Sequence, residues 1–94
     1  MSLNKKLIEA CKNQDIEEIK NLISQGADVN EKDKNNKTLL IFASYNGNKE
    51  IIDFLISNGA NVNDKDSYAI GYTALMYANI IKNKEIIKLL KSRK

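Results

Sequence analysis

The sequence contains no histidine, no proline and no tryptophan, and it has one cysteine and four glycines in 94 residues. Without histidine there is no imidazole base for a serine–histidine triad and no histidine ligand for zinc. Four glycines leave little room for a loop that cradles phosphates. The single cysteine, Cys11, cannot form a disulfide within the chain, which favours a reducing compartment. These absences disfavour an enzyme and predict neither a cofactor nor a metal.

Long apolar segments are also missing. No run of about 18 apolar residues occurs, so no membrane span and no membrane partner are predicted. The N-terminus lacks the apolar region of a signal peptide, because Lys5, Lys6 and Glu9 interrupt its few apolar residues. A chain of 94 residues has the size of one small domain. The expected location is therefore the cytoplasm.

The positive charge is concentrated in the last third of the chain. The net charge of the whole is +3, whereas residues 66–94 carry six basic and two acidic residues. Lysines that alternate with apolar residues are typical of a solvated helix. Positive charge is also favourable near the C-terminus of a helix, where the helix dipole is negative. The alternative is a patch for nucleic acid or an acidic partner. No aromatic residue lies among these basic residues, which favours the solvated helix.

An internal repeat organises the chain. The segment LISQGADVN at residues 22–30 returns as LISNGANVN at residues 55–63, an offset of 33 residues. A second similarity joins residues 38–56 to residues 73–91 at an offset of 35, so two residues are inserted between Asp66 and Gly71. Self-similarity at such a period is typical of stacked repeat architectures.

The middle repeat predicts two short helices. Thr38 is the expected N-cap of a helix over residues 39–45, and Gly47 is expected to end it. Asn48 is the expected N-cap of a second helix, Lys49 to Ser57. Neither helix is long enough to be stable alone, so each unit must bury its apolar stripe against a neighbour. The polar segment that follows can form a β-hairpin, in which Asn30 and Asn63 are expected to hydrogen-bond the loop backbone.

The period of 33, together with the runs GADVN at residues 26–30 and GANVN at residues 59–63, resembles the ankyrin repeat. The resemblance extends over roughly residues 5–94. It implies an all-α solenoid of stacked helix-turn-helix units with short β-hairpin loops. The whole chain, residues 1–94, would be a single array whose units span about residues 1–32, 33–65 and 66–94, the first and last being incomplete.

The sequence departs from the family pattern at two points. The family's Thr-Pro-Leu-His appears here as TLLI at residues 38–41 and TALM at residues 73–76. Ile41 and Met76 are therefore expected to replace the hydrogen bonds of the histidine by apolar contacts between units. Lys82 stands where the middle unit has Gly47, so a looser or longer turn is expected there.

The resemblance implies a non-catalytic protein–protein interaction module. Ankyrin arrays usually bind a partner protein or peptide through the hairpin tips and the concave face of the first helices. A mixed aromatic and basic groove of this kind would suit a segment with acidic and apolar residues. Carried over by position, the candidate partner-binding residues are Lys34, Asn35, Lys37, Tyr45, Asn46, Lys65, Tyr68, Ile70, Tyr72, Ile80 and Ile81.

Several alternatives stay open. Tyr68 and Ile70, in the two-residue insertion, either bind a partner or cover the third unit. The chain could instead be a fragment or an end of a longer structural ankyrin array, or a weak binder of nucleic acid or an acidic partner through its basic last unit. A monomer is expected, with weak self-association through Ile80 and Ile81 as the alternative. Cys11 is expected to be a packing residue rather than a nucleophile.

Overall fold

The computed structural model describes residues 2–67 and 71–93. This part of the chain forms six helices that are arranged as three consecutive helix-turn-helix pairs. The first helices of the pairs, α1, α3 and α5, pack against one another in a row, and each also packs against the second helix of its own pair. The helices are α1 (Leu3–Lys12), α2 (Ile16–Ser24), α3 (Leu39–Asn46), α4 (Lys49–Ser57), α5 (Ala74–Ile80) and α6 (Lys84–Lys91). The predicted all-α repeat solenoid is confirmed.

Every one of these helices begins at a polar N-cap side chain. The two predicted caps are confirmed: Thr38 Oγ1 accepts a hydrogen bond from the backbone N–H of Ile41 at 3.1 Å, and Asn48 Oδ1 accepts one from Ile51 at 3.1 Å. Such a cap stabilises a helix by about 1 kcal/mol. The remaining caps are Ser2, Asp15, Thr73 and Asn83.

Apolar side chains from all three pairs form the core. Cys11 belongs to it: its side chain is 0% exposed, and its Sγ lies 3.8 Å from the carbonyl oxygen of Leu39 on the next first helix. Burial raises the pKa of the Cys11 thiol to about 12, because a thiolate would be poorly solvated there. The prediction of a packing residue is confirmed. The largest fully buried core residues are Leu7, Ile19, Leu39, Leu40, Ile41, Ile51, Ile52, Leu55 and Ile86.

The loops between the pairs are less regular than the expected β-hairpins. Among the described residues the hairpin is reduced to a single antiparallel bridge between Lys32 and Thr38. The Asp33 carboxylate explains the difference, because its Oδ1 accepts from the N–H groups of Asn35 at 2.8 Å and Lys37 at 2.9 Å. A side chain that bonds nearby backbone in this way competes with a strand ladder.

The loops of successive pairs are joined by Asn30. Its Nδ2 donates to the carbonyl oxygen of Gly59 at 3.1 Å, and its Oδ1 accepts from the N–H of Asn61 at 2.7 Å. The expected bond to loop backbone is confirmed for Asn30, and it crosses from one unit to the next. Asn63 occupies the same position in the second loop, but its exposed side chain makes no such bond to the described residues.

The turn inside each pair contains one residue in the left-handed backbone region. That residue is Gln14, Gly47 or Lys82, with φ of 56°, 73° and 59°. The looser or longer turn expected at Lys82 is wrong. The turn from α5 to α6 closes with the same backbone bond as the turn from α3 to α4: the N–H of Asn83 donates to the carbonyl oxygen of Ala78, and that of Asn48 to Ala43, both at 3.1 Å. Lys82 keeps the conformation of Gly47, at the steric cost that a Cβ incurs there.

The two residues that replace the family histidine differ in burial. Ile41 is 1% exposed, whereas Met76 is 38% exposed. The expected apolar contact between units is therefore wrong for Met76. The reason is that α5 packs against the first helix α3 on one side, and no further first helix follows α5 in the described residues. None of the helices in the part of the chain that the structure describes is long and apolar enough to cross a membrane.

Candidate partner-binding grooves

A groove with an apolar and aromatic lining runs along α3. Its volume is about 330 Å³. The charged and amide groups at its edge come from α1, from the loop before α3 and from the end of α3. We call it the aromatic groove, and its lining residues are Lys12, Lys37, Ile41, Phe42, Tyr45, Asn46 and Tyr77.

Two ring contacts shape the aromatic groove. The ammonium of Lys12 lies 5.4 Å from the centroid of the Phe42 ring, within the range of a cation–π contact. Tyr45 packs edge to face on Tyr77, with ring centroids 5.8 Å apart and planes at 89°. Tyr45 is 58% exposed, so it also presents a large part of its side chain to an approaching partner.

A buried aspartate holds one wall of this groove. Asp66 Oδ2 accepts a 2.5 Å hydrogen bond from the hydroxyl of Tyr77 and lies 3.6 Å from the ammonium of Lys37. Its Oδ1 accepts from the backbone N–H of Tyr72 at 2.8 Å. Buried charge is tolerated where it is paired and hydrogen-bonded in this way. Asp66 therefore fixes the positions of Tyr77 and Lys37, which is a structural role rather than acid–base chemistry.

A second groove lies beside the first and is lined mainly by lysines. Its volume is about 410 Å³, and Lys12 lines both grooves. Four lysines outnumber two acidic residues in it, so its net charge is positive, although Lys32 also lies 3.7 Å from Asp64. We call it the lysine groove, and its lining residues are Lys5, Ile8, Lys12, Glu31, Lys32, Asp33 and Lys34.

Four of the residues predicted for partner binding line one of the two grooves, and the others that the structure describes lie outside them. Lys37, Tyr45 and Asn46 lie in the aromatic groove, and Lys34 lies in the lysine groove. Exposed positions outside both grooves are held by Asn35 and Lys65 in the loops and by Ile80 and Ile81 at the end of α5. Tyr72 is half-buried, with its ring centroid 5.5 Å from that of Tyr77. Tyr68 and Ile70 lie outside the described residues.

Nine lining residues of the two grooves are absent from the predicted set. The repeat carried a signal for one of them: Lys12 precedes the predicted Tyr45 by 33 residues, so extending the predicted set to the equivalent position of the first unit would have found it. The nine residues are Lys5, Ile8, Lys12, Glu31, Lys32, Asp33, Ile41, Phe42 and Tyr77.

Comparison with known proteins agrees with this architecture. The family model for ankyrin repeats, in three copies, matches residues 7–94. No curated protein matches the chain. Ankyrin repeats are generally protein–protein interaction modules and are typically non-catalytic. Because the match spans nearly the whole sequence and the described helices have the matching arrangement, the chain belongs to the ankyrin-repeat family.

Proposed function

We propose that the chain is a non-catalytic interaction module whose two grooves together bind a partner peptide or protein segment with apolar and acidic residues. The observation that carries the proposal is the direct adjacency of the aromatic groove and the lysine groove, which share Lys12. An apolar anchor would enter the first groove while carboxylates of the same segment face the second.

The aromatic groove supports the apolar half of this proposal. A volume of about 330 Å³ lies at the lower end of the range for ligand pockets, which suits one or two side chains rather than a whole organic ligand. Tyrosine on a rigid helix presents a large contact area with few rotamers to immobilise, and such residues dominate the energetics of interfaces. Tyr45 is the groove residue with these properties and with high exposure.

The lysine groove supports the acidic half. Lys5, Lys12 and Lys34 are exposed around the apolar side chain of Ile8. Exposed positive charges of this kind accelerate association with an acidic segment and set its orientation more than they raise affinity. Binding should therefore weaken and slow as salt is added.

A library of random peptides displayed on phage, selected on the immobilised full chain, tests the proposal. Enriched peptides should combine an apolar residue with nearby acidic residues. The peptide enriched most is then titrated against the wild type and against two groove variants, Tyr45→Ala and Lys12→Ala. Tyr45→Ala should weaken its binding about tenfold or more, as removal of an interface anchor does.

The chain offers a matched control for Lys12→Ala. Lys20 on α2 lies 5.8 Å from the ring of Phe54 on α4, a cation–π contact like that of Lys12 but outside both grooves. Lys20→Ala should leave peptide binding unchanged. Enrichment of peptides without acidic residues, or equal binding by Tyr45→Ala and the wild type, would contradict the proposal.

We also propose that this interaction takes place in the cytoplasm, a reducing compartment in which the single cysteine would stay a free thiol. The support is compositional: one cysteine, buried and unable to form a disulfide within the chain. Secretion of the natural protein into an oxidising compartment, visible by fractionation, would contradict this placement.

A further inference from the structure

The lysine groove carries an excess of positive charge that its own acidic residues do not neutralise. Its lining has four lysines and two acidic residues, a net charge of +2. Lys5, Lys12 and Lys34 are exposed, and none of the three forms an ion pair with the described residues. The fourth, Lys32, has its ammonium 3.7 Å from Asp64. Three ammonium groups of the groove are therefore available to an anion from outside the chain.

The two acidic side chains of the groove bond to the backbone of the loop instead. Glu31 Oε1 accepts a hydrogen bond from the N–H of Lys32 at 3.1 Å. Asp33 Oδ1 accepts two, from the N–H groups of Asn35 at 2.8 Å and Lys37 at 2.9 Å. Side-chain bonds of this kind hold the loop in its turn. Both carboxylates are thus occupied in shaping the loop, and the charge of the lysines is left for a ligand.

The three ammonium groups reach the groove from two neighbouring helix pairs. Lys5, Ile8 and Lys12 follow one another at intervals of three and four residues, so they share one face of α1, with the buried Ile8 between the lysines. The Phe42 ring holds the Lys12 ammonium at 5.4 Å without neutralising its charge. Lys34 comes from the loop that joins the first pair to the second. The groove is therefore formed by two adjacent pairs together.

We propose that the acidic group of the partner segment is a phosphorylated serine or threonine, whose phosphate binds among Lys5, Lys12 and Lys34 in the lysine groove. The proposal rests on the interaction function proposed above and specifies the ligand chemistry of its acidic half. A phosphate monoester carries nearly two negative charges at neutral pH. It therefore matches the lining charge of +2, whereas one carboxylate leaves an excess of one positive charge.

The type of cation in the groove also favours a phosphate over a carboxylate. Arginine presents a planar fork that binds a planar carboxylate through two parallel hydrogen bonds. The basic residues of the groove are all lysines, and the single arginine of the chain, Arg93, lies beyond α6. Lysines act as separate point charges on flexible stems. Each ammonium can therefore donate to a different oxygen of a tetrahedral phosphate.

A phosphate on a protein segment fits this surface better than free phosphate or a lipid headgroup. The lysine groove continues into the aromatic groove through Lys12, so a segment that carries the phosphate also places an apolar residue near Tyr45. The second contact is then intramolecular and adds affinity that free phosphate lacks. A headgroup lies in a flat bilayer surface, whereas these lysines surround a concave groove of about 410 Å³.

The probe is a short synthetic peptide with one leucine, glycine spacers and one phosphoserine. Two matched peptides have glutamate or serine in place of the phosphoserine. Each is titrated into the isotope-labelled full chain, so that nuclear magnetic resonance gives both the dissociation constant and the backbone amides that shift. At about pH 7.5 the phosphoserine peptide should bind about fivefold more tightly than the glutamate peptide, since an additional unit charge about 4 Å from an ammonium in water provides roughly that factor. The largest shifts should fall on Lys5, Ile8 and Lys34.

The pH dependence separates a phosphate dianion from a carboxylate. The second pKa of phosphoserine is about 6, so at about pH 5.5 its phosphate carries little more charge than a glutamate. Lysine side chains keep their charge in this range, and the chain has no histidine that would change its own. The affinity ratio of the two peptides should therefore fall from about fivefold to about twofold or less.

Matched variants locate the phosphate. Lys34→Ala should weaken the phosphoserine peptide about threefold, the effect of one partly screened charge, and Lys34→Arg should retain most of the binding because it keeps the charge. Lys84→Ala and Lys91→Ala are the controls, since each removes an exposed lysine of α6 outside both grooves. Both should bind the peptide as the wild type does. Circular dichroism confirms that each variant is folded.

Equal affinity for the phosphoserine and glutamate peptides at about pH 7.5 would overturn the proposal. Weaker binding by Lys84→Ala but not by Lys34→Ala would overturn it as well, because the phosphate would then lie on α6. Two further arms test the source of the phosphate. If inorganic phosphate binds as tightly as the phosphoserine peptide, or if phosphatidylinositol phosphate vesicles bind the chain while the peptide does not, the ligand is not a protein segment.

Failure of the earlier groove proposal has a different signature. Replacing the leucine of the probe by glycine would then leave its affinity unchanged, while the preference for phosphoserine persists. Conversely, the peptides displayed on phage are not phosphorylated. Enrichment of acidic peptides there, without a preference for phosphoserine here, would contradict only the phosphate proposal.

Discussion

The ring of Tyr45 meets the ring of Tyr77 edge to face, and the same two repeat positions one unit earlier hold Lys12 over Phe42. The same repeat positions therefore form a cation–π contact between the first and second helix pairs and an aromatic pair between the second and third. Both contacts also line the aromatic groove. The surface that we propose for partner binding is therefore part of the interface that holds neighbouring units together, and substitutions there affect stability as well as binding.

Tyr45→Ala should lower the free energy of unfolding by about 1 kcal/mol, the value of an edge-to-face aromatic pair. The loss stays small because Tyr45 is largely exposed and little further burial is removed. Urea denaturation followed by far-ultraviolet circular dichroism measures it. A stability equal to that of the wild type would show that the Tyr45–Tyr77 contact contributes nothing to the stack.

Tyr77→Phe should lower the free energy of unfolding more than Tyr45→Ala does, although it removes only one oxygen atom. The Tyr77 hydroxyl donates to the buried Asp66 carboxylate, and hydrogen bonds to charged groups contribute about 1.5–3 kcal/mol. We expect a loss of about 2 kcal/mol by urea denaturation. Tyr45→Phe is the matched control, since it removes the hydroxyl of an exposed tyrosine. Equal stability of the two variants would contradict the role assigned to Asp66.

The helix caps could be predicted from sequence because they are local. Thr38 and Asn48 bond a backbone group three residues later, so spacing alone identifies them. The bond between Asp66 and Tyr77 could not be predicted, because it joins a loop residue to a helix residue across the inserted segment. Its geometry depends on how the third pair packs. A carboxylate in a polar loop gives no sign in the sequence that it will be buried.

The exposure of Met76 could not be predicted for a related reason. Alignment of the repeats placed Met76 at the position of Ile41 and indicated a contact between units, but Met76 is 38% exposed. Whether such a position is covered depends on a neighbouring helix, not on the residue itself. The resemblance predicted which side of each helix pair is buried in the core, and it located the loop tips. It gave no information about side-chain contacts between α1 and α3.

Asn30→Ala should lower the free energy of unfolding by about 1–2 kcal/mol. It removes two hydrogen bonds between successive loops, and each contributes about 1 kcal/mol in a partly solvated site. Asn63→Ala is the control, because Asn63 holds the same repeat position and its side chain makes no such bonds to the described residues. Its stability should stay within about 0.5 kcal/mol of the wild type, as for most surface substitutions. A similar loss in both variants would argue against the Asn30 link.

Lys82→Gly should stabilise the chain by about 0.5–1 kcal/mol. The left-handed conformation at φ 59° costs a residue with a Cβ about 1–2 kcal/mol, and the greater freedom of unfolded glycine cancels part of the gain. Gly47→Ala is the reverse change and should destabilise by about 1 kcal/mol, because the added Cβ meets only ordinary contacts, the nearest at 3.5 Å. Thermal denaturation measures both. A loss of stability in Lys82→Gly would contradict this account of the turn.

Cys11 should make stability fall at alkaline pH. An unfolded thiol has a pKa near 8.5, and burial raises that of Cys11 to about 12 in the fold. Between these values the unfolded state releases the proton and the folded state keeps it. The contribution of the buried, protonated Cys11 thiol to the free energy of unfolding is therefore fully present below about pH 8 and is lost as the pH rises.

The variant Cys11→Ala isolates this effect from the titration of the lysines and tyrosines, which both proteins share. The advantage of the wild type over Cys11→Ala should narrow by about 2 kcal/mol between pH 8 and pH 10, since each pH unit above the unfolded pKa corresponds to about 1.4 kcal/mol. Urea denaturation at each pH provides the difference. A constant difference would mean that the Cys11 thiol ionises as readily in the fold as in the unfolded chain, which its burial against Leu39 does not allow.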